Sequence, residues 1–211
     1  MTLQACNLAA VRGNQPLFSK IDLEIAAGEA LWLSGSNGCG KTTLLRLLCG
    51  LSFPAEGQVN WNGNSIFSQR EDYCRDLIYC GHASGVKDDL NAWENLQVSA
   101  RLAGKSCSQK EALEALAHMG LASFAHLPAR VLSQGQRKRI ALARLCLQPT
   151  VRLLILDEPF SALDQQAIAA VSQRLNQHLT QGGMVVYTTH QEVALQAKRL
   201  HRFALNRATP C

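Results

Sequence analysis

Residues 35–42 read G-S-N-G-C-G-K-T and lie between an apolar run, A-L-W-L-S at 30–34, and a stretch of helical periodicity, T-T-L-L-R-L-L-C-G at 42–50. The octapeptide fits the pattern G-x-x-x-x-G-K-[ST]. Strand, glycine loop and helix in that order require an α/β fold in which a buried strand delivers the loop to a helix N-terminus. The physical reason is that phosphate oxygens are bound by backbone amides and by the partial positive charge of the helix end. On this reading Gly35, Ser36, Asn37, Gly38, Cys39 and Gly40 supply the cradle. Lys41 reaches the β and γ phosphates, the Thr42 hydroxyl ligates Mg2+, and Thr43 stands beside it in the first turn.

The rest of the chain agrees with an α/β core. L-Q-A-C-N-L-A-A-V (3–11) reads as a strand, and I-D-L-E-I (21–25) alternates Ile21, Leu23 and Ile25. D-L-I-Y-C (76–80), R-L-L-I-L-D-E (152–158) and G-M-V-V-Y-T-T-H (183–190) are apolar β-rich runs of the kind found in a buried parallel sheet. Between them, 88–131 reads as all helical. Asn91 and Glu94 form N-x-x-E, Ser108 and Glu111 form S-x-x-E, and Gly120 follows the second helix. At 211 residues and 47% hydrophobic content the chain has material for one domain. The expected division is a catalytic core at 1–82 and 132–211, interrupted by a helical subdomain at 83–131 that runs into the next helix, 134–147.

Composition narrows the function classes. No apolar run approaches the roughly 18 to 20 residues that span a bilayer, and M-T-L-Q-A-C-N-L lacks the charged and apolar regions of a secretory signal. A cytoplasmic location is expected. The eight cysteines show no C-x-x-C pair and no Cys/His cluster at zinc spacing, and read as reduced and structural. Cys39 is the exception: beside Lys41 and a helix N-terminus, it is expected to be the most reactive thiol. The net charge of +5 is compatible with nucleic acid or an anionic surface and decides little.

Three further motifs carry chemistry. Asp157 and Glu158 end a buried strand, where Asp157 is placed to hold the Mg2+ hydration shell and Glu158 to orient or deprotonate an attacking water. His190 closes the last apolar run, at the sheet edge where open α/β folds bind ligands, and is expected at the γ-phosphate. L-S-Q-G-Q at 132–136 places Ser133 and Gln136 at capping-box spacing, and a small polar turn at a helix mouth is also a second anion-binding end.

The glycine loop, L-S-Q-G-Q, L-D-E-P (156–159), S-A-L-D (161–164) and T-T-H (188–190) occur in the order and spacing of ATP-binding cassette (ABC) ATPases, which the whole chain resembles. The resemblance implies a P-loop NTPase cassette: a RecA-like parallel-sheet core, an N-terminal antiparallel β subdomain and an inserted α-helical subdomain. It also implies a head-to-tail pair, in which Ser133, Gly135 and Gln136 of one cassette close the nucleotide held by the other and Asp164 lies at the contact. G-H-A-S-G-V-K (81–87), L-N-A-W-E-N-L (90–96) and T-T-H-Q (188–191) look more narrowly like the cytochrome c maturation ATPases. Those are peripheral subunits on the cytoplasmic face of the bacterial inner membrane, bound to an integral membrane subunit of the CcmB type. They drive a complex that handles haem for c-type cytochromes, and haem concerns the ATPase only indirectly.

Two positions depart from the wider family. His82 stands where a glutamine is usual, and a neutral imidazole offers one lone pair to take its place; the alternative is that His82 merely ends a strand. The aromatic residue that stacks on adenine is missing near 11–12, leaving Val11 or Arg12 to cover the base, as a guanidinium plane can. The competing readings are the ATPase of another small exporter, a soluble nucleic-acid ATPase of the same superfamily, and a non-hydrolysing regulatory module. With a single cassette, no zinc fingers and no aromatic-basic interleaving, no nucleic-acid partner is expected.

Overall fold

A computed structural model describes residues 1–13, 15–147 and 150–206. The chain begins with β1 (Thr2–Arg12), β2 (Gln15–Ala26) and β3 (Ala30–Ser34), and the glycine loop leads into α1 (Lys41–Leu48). β4 (Glu56–Trp61), β5 (Asn64–Ser65), α2 (Arg70–Asp76) and β6 (Leu77–Cys80) follow. A lobe of α3 (Ala92–Leu102), α4 (Gln109–His118) and α5 (Gln134–Ala143) precedes β7 (Leu153–Leu156), α6 (Gln165–Thr180), β8 (Met184–Thr188) and β9 (Leu200–Ala204).

Two sheets result. An antiparallel sheet runs β2-β1-β4-β5, and a five-stranded sheet runs β6-β7-β8-β3-β9 with every pairing parallel. The parallel strands are covered on both faces, and their alternation assigns each residue to one of two cores. Leu153, Ile155, Met184 and Val186 pack with Leu33, the α1 leucines and the antiparallel sheet. Leu154, Leu156, Val185 and Tyr187 face the other way, against the helical lobe and α6. The loops at the C-terminal ends of β3, β6, β7 and β8 are thereby gathered along one edge, where such sheets bind ligands.

The lobe is less helical than its sequence suggests. Between 88 and 131 there are two α-helices and two three-residue 3-10 turns, Ala122–Phe124 and Ala129–Val131. The polar stretch A-G-K-S-C-S at 103–108 breaks the first helix from the second, and Pro128, without an amide hydrogen, precedes the last turn. The helix expected at 134–147 ends at Ala143 and tightens into a 3-10 turn at Arg144–Cys146. The α-helical partner of the Leu145 carbonyl would be the amide of Pro149, which carries no hydrogen. That carbonyl instead accepts from Arg174 Nε and Nη2 of α6 at 2.9 and 2.7 Å.

The expected caps form. Asn91 N donates to Glu94 Oε2 at 2.8 Å, and Ser108 N donates to Glu111 Oε2 at 2.7 Å while Glu111 N donates back to Ser108 Oγ at 3.2 Å. Each such cap contributes roughly 1 kcal/mol to its helix.

Among the described residues seven cysteines are free, and Cys211 lies outside them. Cys39 is 1% exposed and packs into the core beneath the glycine loop, so the expectation that it is the most reactive thiol fails on access. Cys49 and Cys80 are also buried, and burial raises the pKa of both; Cys74 on α2 is exposed. In a Cys211→Ser background, maleimide is therefore expected to label Cys74 first and to spare Cys39 until the chain unfolds, with peptide mapping as the readout. Early modification of Cys39 that MgATP slows would contradict this burial.

Candidate functional site

β3 delivers the loop to the sheet edge, and α1 starts directly after Gly40 with no side chain capping its first amides, which leaves that helix end free for an anion. Gly35 has φ of +144°, and a Cβ there would meet the Leu205 carbonyl oxygen at 2.5 Å, so only glycine lets the loop turn under the C-terminal segment. Lys41 folds back over the loop, donating to the carbonyls of Gly35 at 2.7 Å and Ser36 at 3.2 Å.

β7 brings the acid pair to the same edge. Asp157 is 3% exposed; its Oδ2 accepts from Thr42 Oγ1 and its Oδ1 from Thr188 Oγ1, both at 2.8 Å. Its amide donates to the Cys80 carbonyl at 2.8 Å, which ties β7 to the end of β6. Glu158 follows with φ of +51°, unusual for a residue with a side chain. The turn is held at both ends: Glu158 N donates to Thr188 Oγ1 at 2.8 Å, and Ser161 Oγ donates to the Glu158 carbonyl at 2.9 Å. Glu158 Oε1 is buried without a hydrogen-bond partner, and His190 Nε2 lies 3.4 Å from it. A carboxylate oxygen left so is a strong acceptor held ready for a donor.

These groups line one cleft of about 540 Å3 with Asn37, Gly38, Gly40, Thr43, Arg12 and His82. Leu17 and Ser161 line it too and were not anticipated as site residues; Leu17 belongs to no motif, and Ser161 opens S-A-L-D, which was read for Asp164. Arg12, at the end of β1, is the member of the pair 11–12 on the cleft, whereas Val11 is 51% exposed and off it. His82 is exposed just beyond β6. Gly35, Ser36 and Cys39 lie in the loop but not on the cleft wall.

Ser133, Gly135, Gln136 and Asp164 do not reach this cleft. Ser133 N donates to Gln136 Oε1 at 2.8 Å and Gln136 N to Ser133 Oγ at 3.2 Å, a complete capping box at an exposed helix end. Asp164 caps α6, accepting from Ala167 N at 2.7 Å. A Cβ on Gly135 would meet the Ala162 carbonyl oxygen at 2.5 Å, so this glycine lets the mouth of α5 pack against the S-A-L-D turn of the same chain.

The basic run after this motif is spent internally. Arg137 pairs with Asp88, Arg139 Nη1 donates to the Met119 carbonyl at 3.3 Å, and Lys138 Nζ donates to the Asp157 carbonyl at 3.4 Å. Burial lowers the Lys138 pKa, against the opposing pull of Cys80, Asp157 and Glu158. Among the described residues, no group of three or more His, Cys, Asp or Glu could hold a metal ion by itself.

Residues 18–161 match the family model described as ABC transporter. The cytochrome c biogenesis ATP-binding export protein CcmA of Nitrosospira multiformis is 47% identical over 204 residues, covering 97% of this chain and 98% of the relative. Among solved structures, a putative ABC transporter ATP-binding protein from Pyrococcus furiosus superposes with a TM-score of 0.81 at 23% identity, over 96% of this chain and 97% of the other. The dimeric structure of MJ0796, a bacterial ABC transporter cassette, gives 0.77 at 26% identity, over 90% and 88%. Five ordered motifs, the two-sheet architecture with its helical lobe and the extent of these matches lead to one conclusion: the chain belongs to the ABC transporter family, as one of its ATP-hydrolysing cassettes.

Proposed function

We propose that this chain is the energy-coupling ATPase of an inner-membrane complex for c-type cytochrome biogenesis, working as a head-to-tail pair on the cytoplasmic face. The observation that carries the reading is the separation of two anion-binding helix ends. The mouth of α1 opens on the cleft with Asp157 and Glu158, while the Ser133 end of α5 lies outside it and is exposed. A second copy turned head to tail supplies its Ser133, Gly135 and Gln136 to the nucleotide in the first, with Asp164 near the contact.

Within the cleft, the loop residues Asn37, Gly38 and Gly40 and Lys41 bind the phosphates, and the Arg12 guanidinium covers the base. The Thr42 hydroxyl and the Asp157 carboxylate are hard oxygen donors within hydrogen-bond distance of each other, a set that suits Mg2+ with the remainder of its shell from water and phosphate. Bound there, the ion would neutralise charge on the phosphates. Glu158 accepts a proton from the attacking water through its unpartnered Oε1, and His190, beside it, contacts the γ-phosphate. His82, on the same cleft, takes the place of the glutamine.

The membrane partner has a candidate seat. A groove of about 250 Å3 lies between the segment 84–87, α3 and α5, floored by Leu96 and Ile140 and edged by Leu102, which is 85% exposed. His82 is on the cleft and Ser84 on the groove, so a few residues of chain join the chemistry to the partner. Among the described residues no helix is long and apolar enough to cross a membrane, which leaves the membrane passage to an integral subunit of the CcmB type. Haem is handled by that complex rather than by this chain, and no nucleic acid is involved, since the R-K-R run is engaged within the fold.

Two measurements test this function. Glu158→Gln is expected to bind ATP as the wild type does and to lose turnover by a factor on the order of 100 or more, the scale of a general base; hydrolysis at the wild-type rate would reject the role of Glu158. The tagged chain is expected to recover an integral membrane protein from detergent-solubilised membranes. Leu102→Glu should weaken that recovery about tenfold, because a charge replaces an apolar side chain buried on docking. Undiminished recovery would move the seat elsewhere, and hydrolysis stimulated by DNA without a membrane partner would overturn the assignment.

A further inference from the structure

Thr188 closes β8, M-V-V-Y-T, and is wholly buried, at 0% exposure. A valine would fill nearly the same space, so the hydroxyl calls for a reason. It has two partners: it donates to Asp157 Oδ1 at 2.8 Å and accepts from Glu158 N at 2.8 Å. One side chain therefore touches both members of the acid pair, from a strand that contributes neither.

The register explains how. β7 and β8 pair in parallel from Leu153↔Met184 to Leu156↔Tyr187, and there the ladder stops. Thr188, one residue further on, is paired in register with Leu33 of β3 on the other side. Glu158, turning out of the sheet at φ of +51°, has no strand partner for its amide. The Thr188 hydroxyl supplies one, extending the β7–β8 association by a side chain where the backbones diverge. Because a left-handed conformation is costly for a residue with a Cβ, it persists only where its surroundings hold it. Here the amide is held by Thr188 and the carbonyl by Ser161 Oγ.

The same bond fixes the Asp157 carboxylate. Thr42 bonds one oxygen and Thr188 the other, so rotation about the carboxylate bond is blocked from both sides. The segment that follows Thr188 is anchored in turn: Trp32 Nε1 of β3 donates to the Thr189 carbonyl at 3.2 Å, and the Arg202 guanidinium lies 5.1 Å over the Trp32 ring. His190 comes next, 3.4 Å from Glu158 Oε1.

We propose that Thr188 is a positioning residue for hydrolysis, its buried hydroxyl setting the orientation of Asp157 and the backbone turn of Glu158 together. It is buried and does not line the cleft, so it acts through the two acids. The inference rests on the roles given above to Asp157 and Glu158. It also distinguishes the two T-T-H threonines: Thr188 serves the acids, whereas Thr189 Oγ1 accepts from Gln191 N at 3.1 Å and serves the turn beyond.

The test compares Thr188→Val and Thr188→Ser in the full chain within its membrane assembly. Valine keeps the packing and loses both hydrogen bonds; serine keeps the bonds and leaves a methyl-sized cavity. Expected for Thr188→Val is a fall in kcat on the order of 10- to 100-fold, the scale of a small misplacement of catalytic groups, with KM for MgATP unchanged. Thr188→Ser should restore kcat even though it melts at a lower temperature. A second readout needs neither nucleotide nor metal: the Glu158 amide should exchange with deuterium faster in Thr188→Val and at the wild-type rate in Thr188→Ser. Wild-type kcat in Thr188→Val would overturn the proposal, as would equal losses in the two variants or a rise in KM that accounts for the loss. Glu158→Gln is the control. Full activity there would fault the roles of the acids, whereas an inactive Glu158→Gln beside a fully active Thr188→Val would fault Thr188 alone.

Discussion

The Asp157 carboxylate is where three separate stretches of chain are joined. Thr42, at the start of α1, holds one oxygen and Thr188, at the end of β8, holds the other, while the Asp157 amide is bonded to the end of β6. Buried carboxylates are costly unless paired or fully hydrogen-bonded, so this group fixes the relative positions of the elements that satisfy it. The two cores on either face of the parallel sheet bring β3, β6, β7 and β8 to a common edge, and Asp157 then sets the register of the loops there. The cleft is a consequence of that convergence.

The helix end at Ser133 shows how one local structure serves two purposes. Its capping box is complete within the chain, which is all that helix stability requires. Its remaining first-turn amides and the small side chains at 133 and 135 leave an exposed, weakly positive surface that nothing in the same cleft uses. Gly135 packs on Ala162, and Ser161, one residue earlier, bonds the Glu158 carbonyl. The exposed helix end is thus continuous with the turn that carries Glu158.

Much of this was legible because each motif combines a residue type with a place in an element. G-S-N-G-C-G-K-T announces itself through its flanking strand and helix, and L-D-E through an apolar run that ends in acids. The S-x-x-E and S-x-x-Q spacings marked the starts of α4 and α5 correctly. What stayed hidden depended on distant partners. The Leu145 carbonyl just beyond α5 is held by Arg174 of α6, a distant partner that local periodicity does not weigh. α6, with its mixed polar face, and β9 gave little signal against the stronger motifs nearby. Cys39 looked reactive from its neighbours in the chain, yet the loop turns its thiol inward against the core. Thr188 was visible only as part of T-T-H, since its partners lie some thirty residues away in sequence.

The central claim is that catalysis needs the cleft of one chain and the Ser133 helix end of another, and co-expression of two damaged chains tests it most directly. One carries Lys41→Ala, which spoils its own cleft, and the other Ser133→Arg, which spoils what it offers a neighbour; each alone should be inactive as a pair of identical chains. In a head-to-tail arrangement the mixed pair has one site doubly damaged and one site intact. The account predicts that mixed pairs, isolated through two different tags within the membrane assembly, recover ATP hydrolysis that neither variant shows alone. No recovery in such pairs would contradict it.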